Sequence, residues 1–359
     1  MITPAFVRRF RFIGLVTVVA VYLLIAVGGI VRSTGSGMGC PDWPKCFGTW
    51  IPPTQASQLP ANYKEVYLAQ RVAKNTRLAN TLQRLGFKQV ASEIFAHPTQ
   101  YIETDFNVTK TWIEYLNRLL GALIGVFIFL TVVCALPYWN RDRTVFLLAL
   151  GAFLLTGFQG WLGSLVVSTN LLPILVTVHM GLALLIVAML IYAVIRSQRH
   201  DSTVEPLSGS FSLTPWLWAI TLLTFVQIVL GTQVREEVDM VAAAAGHSNR
   251  GDWVEQLGSI FKFHRTFSAF LLVLNAYVAY QLYLLPSQQL RKLAAVNMGI
   301  IGLEIGAGIT LAYFALPAAV QPIHLTLATV LFGTQFLTIV QYRRATKLTG
   351  QVTYPGVVA

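Results

Sequence analysis

The sequence has few charged residues and few cysteines. Charged side chains make up 11% of the 359 residues and hydrophobic ones 55%, with a mean hydropathy of +0.61. A soluble globular domain carries about 25% charged residues, and disordered chains and coiled coils are still more polar. These classes are therefore excluded. Three cysteines are also too few for a secreted disulfide scaffold.

Acidic residues are scarce as well. The chain has 15 Asp and Glu against 26 Lys and Arg, a formal net charge of +11. In an apolar chain such an excess is typical of basic residues flanking membrane spans rather than of a polyanion site. We therefore expect contact with membrane lipid and no nucleic-acid partner.

Apolar runs of about 20 residues, the length that crosses the hydrocarbon layer as a helix, occur eight times. The sequence therefore predicts an all-α integral membrane protein with eight transmembrane helices. The predicted spans are residues 12–31, 119–138, 145–167, 174–195, 216–233, 267–285, 294–316 and 323–341.

Basic residues are concentrated on one side of these spans. The short loops 168–173 and 317–321 on the other side carry neither Lys nor Arg. The positive-inside rule then predicts that both termini are cytoplasmic. The basic residues of the cytoplasmic side are Arg8, Arg9, Arg11, Arg141, Arg143, Arg196, Arg199, Arg291, Lys292, Arg343, Arg344 and Lys347. The N-terminal segment has no small-residue cleavage site, so we expect the first span to stay in the membrane.

The two halves of the chain share sequence features. Residues 231–235 repeat the pattern of residues 28–32, and other matches recur along both halves. This predicts two four-helix units, residues 1–200 and 201–359, arranged as parallel repeats about an axis along the membrane normal. The first unit has an outer-loop insertion at about residues 55–110, with helical patches such as residues 63–85.

Three histidines fall at one predicted depth, near the outer surface. His264 and His324 begin two spans of the second unit, and His179 lies just inside a span of the first. Repeat-related imidazoles facing each other across a four-helix bundle suit a haem iron. We predict that His264 and His324 are haem ligands, with hydrogen-bonded packing histidines as the alternative.

The repeat places Asn117 where a partner for His179 is expected. A carboxamide is a poor ligand for haem iron. Three interpretations of the first site stay open: an open coordination position, a substitute ligand such as His97, or a disabled site.

The first unit also has an acid that the second lacks. Glu114 lies one helical turn before Asn117, and its counterpart in the repeat is Phe261. An acid beside an open haem site could accept protons or stabilise a developing cation. A solvated interfacial carboxylate is the alternative. If both units bind haem, the difference favours a catalytic first site and an electron-transferring second one.

Four arginines lie at the outer ends of spans: Arg32, Arg118, Arg235 and Arg265. A guanidinium group can bind a haem propionate through two hydrogen bonds. Ordinary placement of a long cation at the membrane interface is the competing reading.

The cysteines also predict a structural feature. Cys40 and Cys46 lie just past the first span on the outer, oxidising side, and we predict a disulfide, either a structural clip or a redox relay. Cys134 is predicted to be a packed free thiol.

Glu304 is an unusual acid within a span, opposite Gln159 in the repeat. Two interpretations stay open for it, part of a proton path and a packed carboxyl group.

Taken together these motifs resemble the haem A synthases. Residues 28–44 look like that family's first-span signature. Residues 114–121 are similar to its Glu-Tyr-x-His-Arg motif, with Asn117 in place of the histidine. The three predicted histidines fall where the remaining ligands of the family fall. The resemblance covers nearly the whole chain except residues 55–110 and the C-terminal tail.

The resemblance implies an oxidoreductase of the bacterial plasma (inner) membrane that converts the C8 methyl of haem O to a formyl group, with its sites toward the outer face. The first unit would hold haem O as substrate and the second haem B as cofactor. It also implies that the acid at Glu114 is needed for activity. Haem O synthase and cytochrome oxidase assembly factors are the partners implied.

Two other functions compete with this reading. A haem-binding electron-transfer or haem-handling protein, its catalytic site lost through Asn117, would bind haem without making a formyl product. A duplicated transporter would bind no haem. Whether the chain forms a homo-oligomer stays open.

Overall fold

The structure is a computed structural model that describes residues 3–96, 105–198, 212–246 and 248–352, with side chains to residue 346. Within these ranges the chain forms ten α-helices, and its β-structure is limited to an isolated bridge between Cys46 and Thr49. The helices are α1 (Ala5–Ser33), α2 (Tyr63–Arg84), α3 (Lys88–Glu93), α4 (Val108–Ala135), α5 (Arg143–Ser168), α6 (Pro173–Arg196), α7 (Thr214–Ala244), α8 (Ser259–Tyr283), α9 (Gln288–Tyr313) and α10 (Val320–Val352).

Eight helices of the described chain, α1 and α4 to α10, are long and apolar enough to cross a membrane. Their outward faces expose large apolar side chains, among them Leu15, Leu154 and Val273. Such faces are stable against lipid tails and unfavourable in water. The prediction of an all-α, multi-pass membrane protein with eight spans is confirmed.

Several predicted boundaries were wrong at the helix ends that the sequence predicts to be outer. α4 begins at Val108 rather than at residue 119, α7 continues to Ala244 rather than ending at residue 233, and α8 begins at Ser259 rather than at residue 267. An apolar run marks only the part of a helix that matches the hydrocarbon. A helix satisfies its own backbone hydrogen bonds and can therefore continue beyond that layer. The early start of α4 places Glu114 and Asn117 on that helix.

The spanning helices pack into two rings of four. In the first ring α4 contacts α1 and α5, and α6 contacts α5 and α1; in the second ring α8 contacts α7 and α9, and α10 contacts α9 and α7. The rings meet through contacts of α10 with α1 and α6, and of α6 with α7. The predicted division at residue 200 lies outside the described residues. The parallel-repeat relationship and the cytoplasmic location of both termini stay predictions.

Each ring has an apolar interior with a few internal polar pairs. Ile128 and Leu190 are buried in the first ring, as Leu217 and Leu282 are in the second. Asn275 Oδ1 accepts a hydrogen bond of 2.9 Å from Gln335 Nε2 across the second ring. Pairing of this kind satisfies amide groups where no water can reach them.

The insertion contains α2 and α3, which agrees with the helix predicted over residues 63–85. It is held against the C-terminal end of α5. Lys74 Nζ donates to Ser164 O at 3.1 Å, and Asn75 Nδ2 donates to Ser168 O at 2.7 Å. Two residues named from the sequence, His97 and Arg199, lie outside the described residues.

Candidate functional site

The three predicted histidines lie in the second turn of their helices: His179 in α6, His264 in α8 and His324 in α10. These helices and α4 alternate along the chain with α1, α5, α7 and α9, so all four begin on one side of the bundle. The histidines and Asn117 are therefore found near one end of the two rings.

His264 and His324 face each other within the second ring. Their ring centres are 6.5 Å apart, and the ring planes are inclined by 80°. Two imidazoles that bind one metal through nitrogens at about 2.0 Å have ring centres roughly 6 Å apart. The pair therefore fits a haem iron with two axial imidazole ligands. Haem binding itself stays a prediction.

Glycines on neighbouring helices lie beside these imidazoles. A Cβ added at Gly231 of α7 would lie 3.4 Å from His264 Cε1, and one added at Gly308 of α9 would lie 3.5 Å from His324 Cε1. In the first ring a Cβ at Gly163 of α5 would lie 3.7 Å from His179 Cε1. Because glycine has no side chain, these positions leave the imidazole edges room beside the backbone.

Polar side chains of neighbouring helices contact the three histidines. Gln159 Nε2 donates to His179 O at 2.8 Å, and Gln227 Nε2 donates to His264 O at 3.0 Å. Glu304 of α9 instead contacts the ring of His324, at Nδ1. Groups that orient a ligand are common around metal-binding histidines. Gln227 was missed from the sequence, although a polar residue within a span signals such a role.

The first ring lacks the second imidazole. Asn117 Oδ1 and His179 Nδ1 are both buried, and neither has a hydrogen-bond partner among the described residues. A Cβ added at Gly28, the counterpart of Gly231, would meet nothing within 4 Å. The first ring thus has free space at the position where the second ring has the His264 side chain.

Glu114 is buried between α4 and the disulfide loop, which we define as residues 40–46. The residue is 3% exposed. One oxygen accepts a hydrogen bond of 2.7 Å from Cys40 N, and the other is paired with Arg118, one turn further along α4. This contradicts the alternative of a solvated interfacial carboxylate.

Arg118 connects the same loop to α4. Its guanidinium donates to the carbonyl oxygens of Asp42 at 2.6 Å, Lys45 at 3.1 Å and Cys40 at 3.1 Å, in addition to Glu114. These contacts occupy the N–H donors of the guanidinium group. A propionate could bind to Arg118 only by replacing some of these hydrogen bonds.

The predicted disulfide between Cys40 and Cys46 is present, and Cys134 is a free thiol. The chain before the loop runs directly against α4. A Cβ added at Gly39 would lie 2.5 Å from Lys110 O, closer than atoms can approach, so glycine is required there. Thr111 Oγ1 donates to Gly39 O at 2.9 Å. The disulfide loop is therefore fixed beside Glu114.

The chain is similar in sequence to known proteins. The sequence profile of COX15-CtaA, described as Cytochrome oxidase assembly protein, matches residues 11–89 and 88–336. The chain belongs to this family. It is 25% identical over 340 residues to a Heme A synthase of Shewanella oneidensis, covering 86% of this chain and 89% of the relative. It is also 27% identical over 349 residues to a Heme A synthase of a Caulobacter species, covering 89% and 92%.

For this member of the COX15-CtaA family, two of the predicted propionate-binding arginines have an unexpected partner. Arg32 Nη2 and Arg235 Nη2, at matching positions of the two rings, lie 3.2 Å and 2.7 Å from Asp239 of α7. Arg235 also donates to Gln321 of α10. The Nε atoms of both arginines are buried without a hydrogen-bond partner among the described residues.

Arg265, the fourth of the predicted arginines, is exposed, with its guanidinium carbon 5.9 Å from the centre of the Phe261 ring. Asp239 was missed from the sequence, although its position four residues after Arg235 is the spacing of a helical ion pair.

The insertion contributes a further group close to the first ring of this family member. Lys74 Nζ contacts the carbonyl and, at 3.3 Å, the hydroxyl oxygen of Ser164, the residue after Gly163. Burial and the nearby charge of Arg118 lower the pKa of Lys74. No local sequence pattern indicates this contact, because it depends on how the insertion folds back over α5.

Proposed function

We propose that the protein is a haem A synthase of the bacterial plasma membrane, which oxidises the C8 methyl of haem O to a formyl group. The first ring would bind haem O and the second haem B, both toward the outer face of the membrane. The observation that carries the proposal is the facing pair His264 and His324, because their separation fits two axial ligands of one iron. Family membership and the names of the relatives support the reaction.

In this proposal haem B supplies a one-electron carrier, and His264 and His324 hold its iron. His179 holds the substrate through its iron, while Gln159 fixes the backbone at that ligand. Oxidation of the methyl group to a formyl group releases electrons and protons and takes up one oxygen atom, which water would supply; haem B would supply a carrier for the electrons toward an electron acceptor outside the chain.

Glu114 would accept protons from the substrate or stabilise positive charge as it develops on the methyl carbon. Its burial supports this role, because a carboxylate shielded from water interacts more strongly with a nearby charge. The contacts with Cys40 and Arg118 hold it in place.

Asn117 supports the single-ligand form of the first site. With Asn rather than His at this position, the first ring would hold a haem through His179 without a second imidazole from α4. Such a haem is less constrained than one with two axial imidazoles, which fits a substrate that enters and leaves better than a permanent cofactor.

The proposal is tested by producing the full chain in cells that make haem O, purifying it in detergent, and identifying the extracted haems by chromatography. We expect haem B together with haem A or its hydroxylated precursor. A host that makes haem B but no haem O is the matched control, and there only haem B should be found. Absence of every haem would overturn the proposal.

Asn117 also favours a second candidate, a haem-binding electron-transfer or haem-handling protein whose catalytic site is lost. Haem B alone, even with haem O supplied, would support this function and contradict synthase activity. Haem O synthase and cytochrome oxidase assembly factors are the partners that we propose for either function.

A further inference from the structure

Glu304 is buried next to a predicted haem ligand. It lies in the second half of α9, its side chain is 12% exposed, and its carboxylate contacts Nδ1 of His324 on α10. Both carboxylate oxygens are buried without a hydrogen-bond partner among the residues that the structure describes, so the ion-pair contact with His324 is the polar contact recorded for this group. An isolated acid inside a membrane is costly unless a donor engages it. The imidazole of His324 is the donor available to Glu304.

The other two histidines are held differently. Nδ1 of all three histidines is buried without a hydrogen-bond partner within the described ranges, but among the described contacts a carboxylate lies against Nδ1 only in His324. Gln159, the counterpart of Glu304 in the repeat, binds the backbone carbonyl of His179 rather than its ring. The carboxylate therefore acts on one imidazole, in the ring to which we assign the permanent haem.

We propose that Glu304 is a positioning residue that holds the proton of His324 on Nδ1, leaves Nε2 to bind iron, and lowers the midpoint potential of the haem in the second ring. The inference rests on the proposed function, since it assumes that His324 is a haem ligand. The two ring nitrogens of histidine are distinct, and the partner of one decides which atom the metal binds.

The direction of the effect follows from electron donation. An acceptor on Nδ1–H makes the imidazole more electron-rich, and a more electron-rich ligand stabilises ferric iron more than ferrous iron. The haem is then harder to reduce. If Glu304 were only a packed carboxyl group, its replacement would leave the potential unchanged as long as haem stays bound.

The test uses the full chain purified in detergent with its haem. Glu304→Gln keeps the size of the side chain but weakens the acceptor, and Glu304→Ala removes it. Glu237→Gln is the matched control, because this carboxylate at the outer end of α7 accepts only from Gly258 N at 3.3 Å in the described contacts. Haem content, midpoint potential and the electron paramagnetic resonance of the low-spin haem are measured for each.

We expect Glu304→Gln to keep haem with a higher midpoint potential and altered low-spin g-values, and Glu304→Ala to lower haem affinity about ten-fold or more. Glu237→Gln should match the unmodified chain. Bound haem with unchanged potential and g-values in Glu304→Gln would overturn the inference while leaving the proposed function intact. An unmodified chain that binds no haem would overturn both, so the two failures are distinguishable.

Discussion

The two four-helix rings have similar packing but different chemistry at matching positions. Beside the predicted ligands, the first ring has the buried ion pair of Glu114 and Arg118, whereas the second has Arg265 next to the ring of Phe261. The first ring has Asn117 where the second has His264. The two rings thus combine similar helix packing with different side chains at the positions that the predicted repeat matches.

This comparison indicates separate tasks for the rings. Two facing imidazoles suit a haem that only exchanges electrons. An acid, a single imidazole and a nearby disulfide loop suit a site where a substrate is held and changed. The experiments below alter one ring at a time, so each can show whether the tasks are in fact separate.

The largest effect is expected from removing a predicted ligand. His264→Ala should abolish the low-spin haem of the second ring while haem O still binds, and His179→Ala should do the reverse. The reason is that each ring supplies its own ligands. Haem content and optical spectra of the two purified variants measure this. Loss of both haems in either variant, with the protein still monodisperse, would argue against independent sites.

Replacement of Glu114 by Gln should lower formation of oxidised haem about a hundred-fold, the usual size of a lost acid–base group. The amide keeps the shape of the side chain but cannot accept a proton. Haem B content should stay unchanged, which distinguishes a catalytic loss from misfolding. The second ring offers a control in Phe261→Leu at the matching position. Unimpaired product formation in Glu114→Gln would remove its catalytic role.

Substitution of Asn117 by His should make the first ring resemble the second. We expect a second low-spin haem signal and product formation that is about ten-fold slower. This corresponds to an activation free energy higher by about 1.4 kcal/mol, because the added histidine ligand must be released for the reaction. The space beside Gly28 leaves room for the larger side chain. Spectra and product yields are compared with those of Asn117→Gln. Faster turnover would show that the asparagine is a defect rather than a functional feature.

The smallest effect is expected at the contact between the rings. Asp239→Asn weakens the ion pairs with Arg32 and Arg235, which are partly exposed. Pairs of this kind contribute about 1 kcal/mol or less, so the thermal midpoint should fall by only a few degrees. Glu255→Gln, at an exposed position before α8, is the control. A large loss of haem instead would assign Asp239 to a binding site.

Sequence patterns were sufficient for the number of spans and for the expectation that His264 and His324 face each other, while their role as haem ligands stays a prediction. Apolar length and a repeated spacing depend only on local sequence and on periodicity. The disulfide was predictable for the same reason, because Cys40 and Cys46 are near each other in the chain. The boundaries of α4, α7 and α8 were not, since polar residues at helix ends do not distinguish helix from loop.

Side-chain partners were the part that sequence could not supply. Arg118 was expected at a propionate, but it binds three carbonyl groups of the disulfide loop. Asp239 and Lys74 each meet groups far away in the sequence, and such contacts depend on how helices and the insertion pack. Glu304 was notable from the sequence as an intramembrane acid, but its contact with His324 follows only from the structure.

Electron paramagnetic resonance of the oxidised full chain, loaded with haem B and haem O, tests the division of tasks most directly. The account predicts one low-spin ferric haem from the second ring and one high-spin ferric haem from the first. His264→Ala should remove the low-spin signal alone. Two low-spin haems in the unmodified chain, or a low-spin signal that survives His264→Ala, would contradict it.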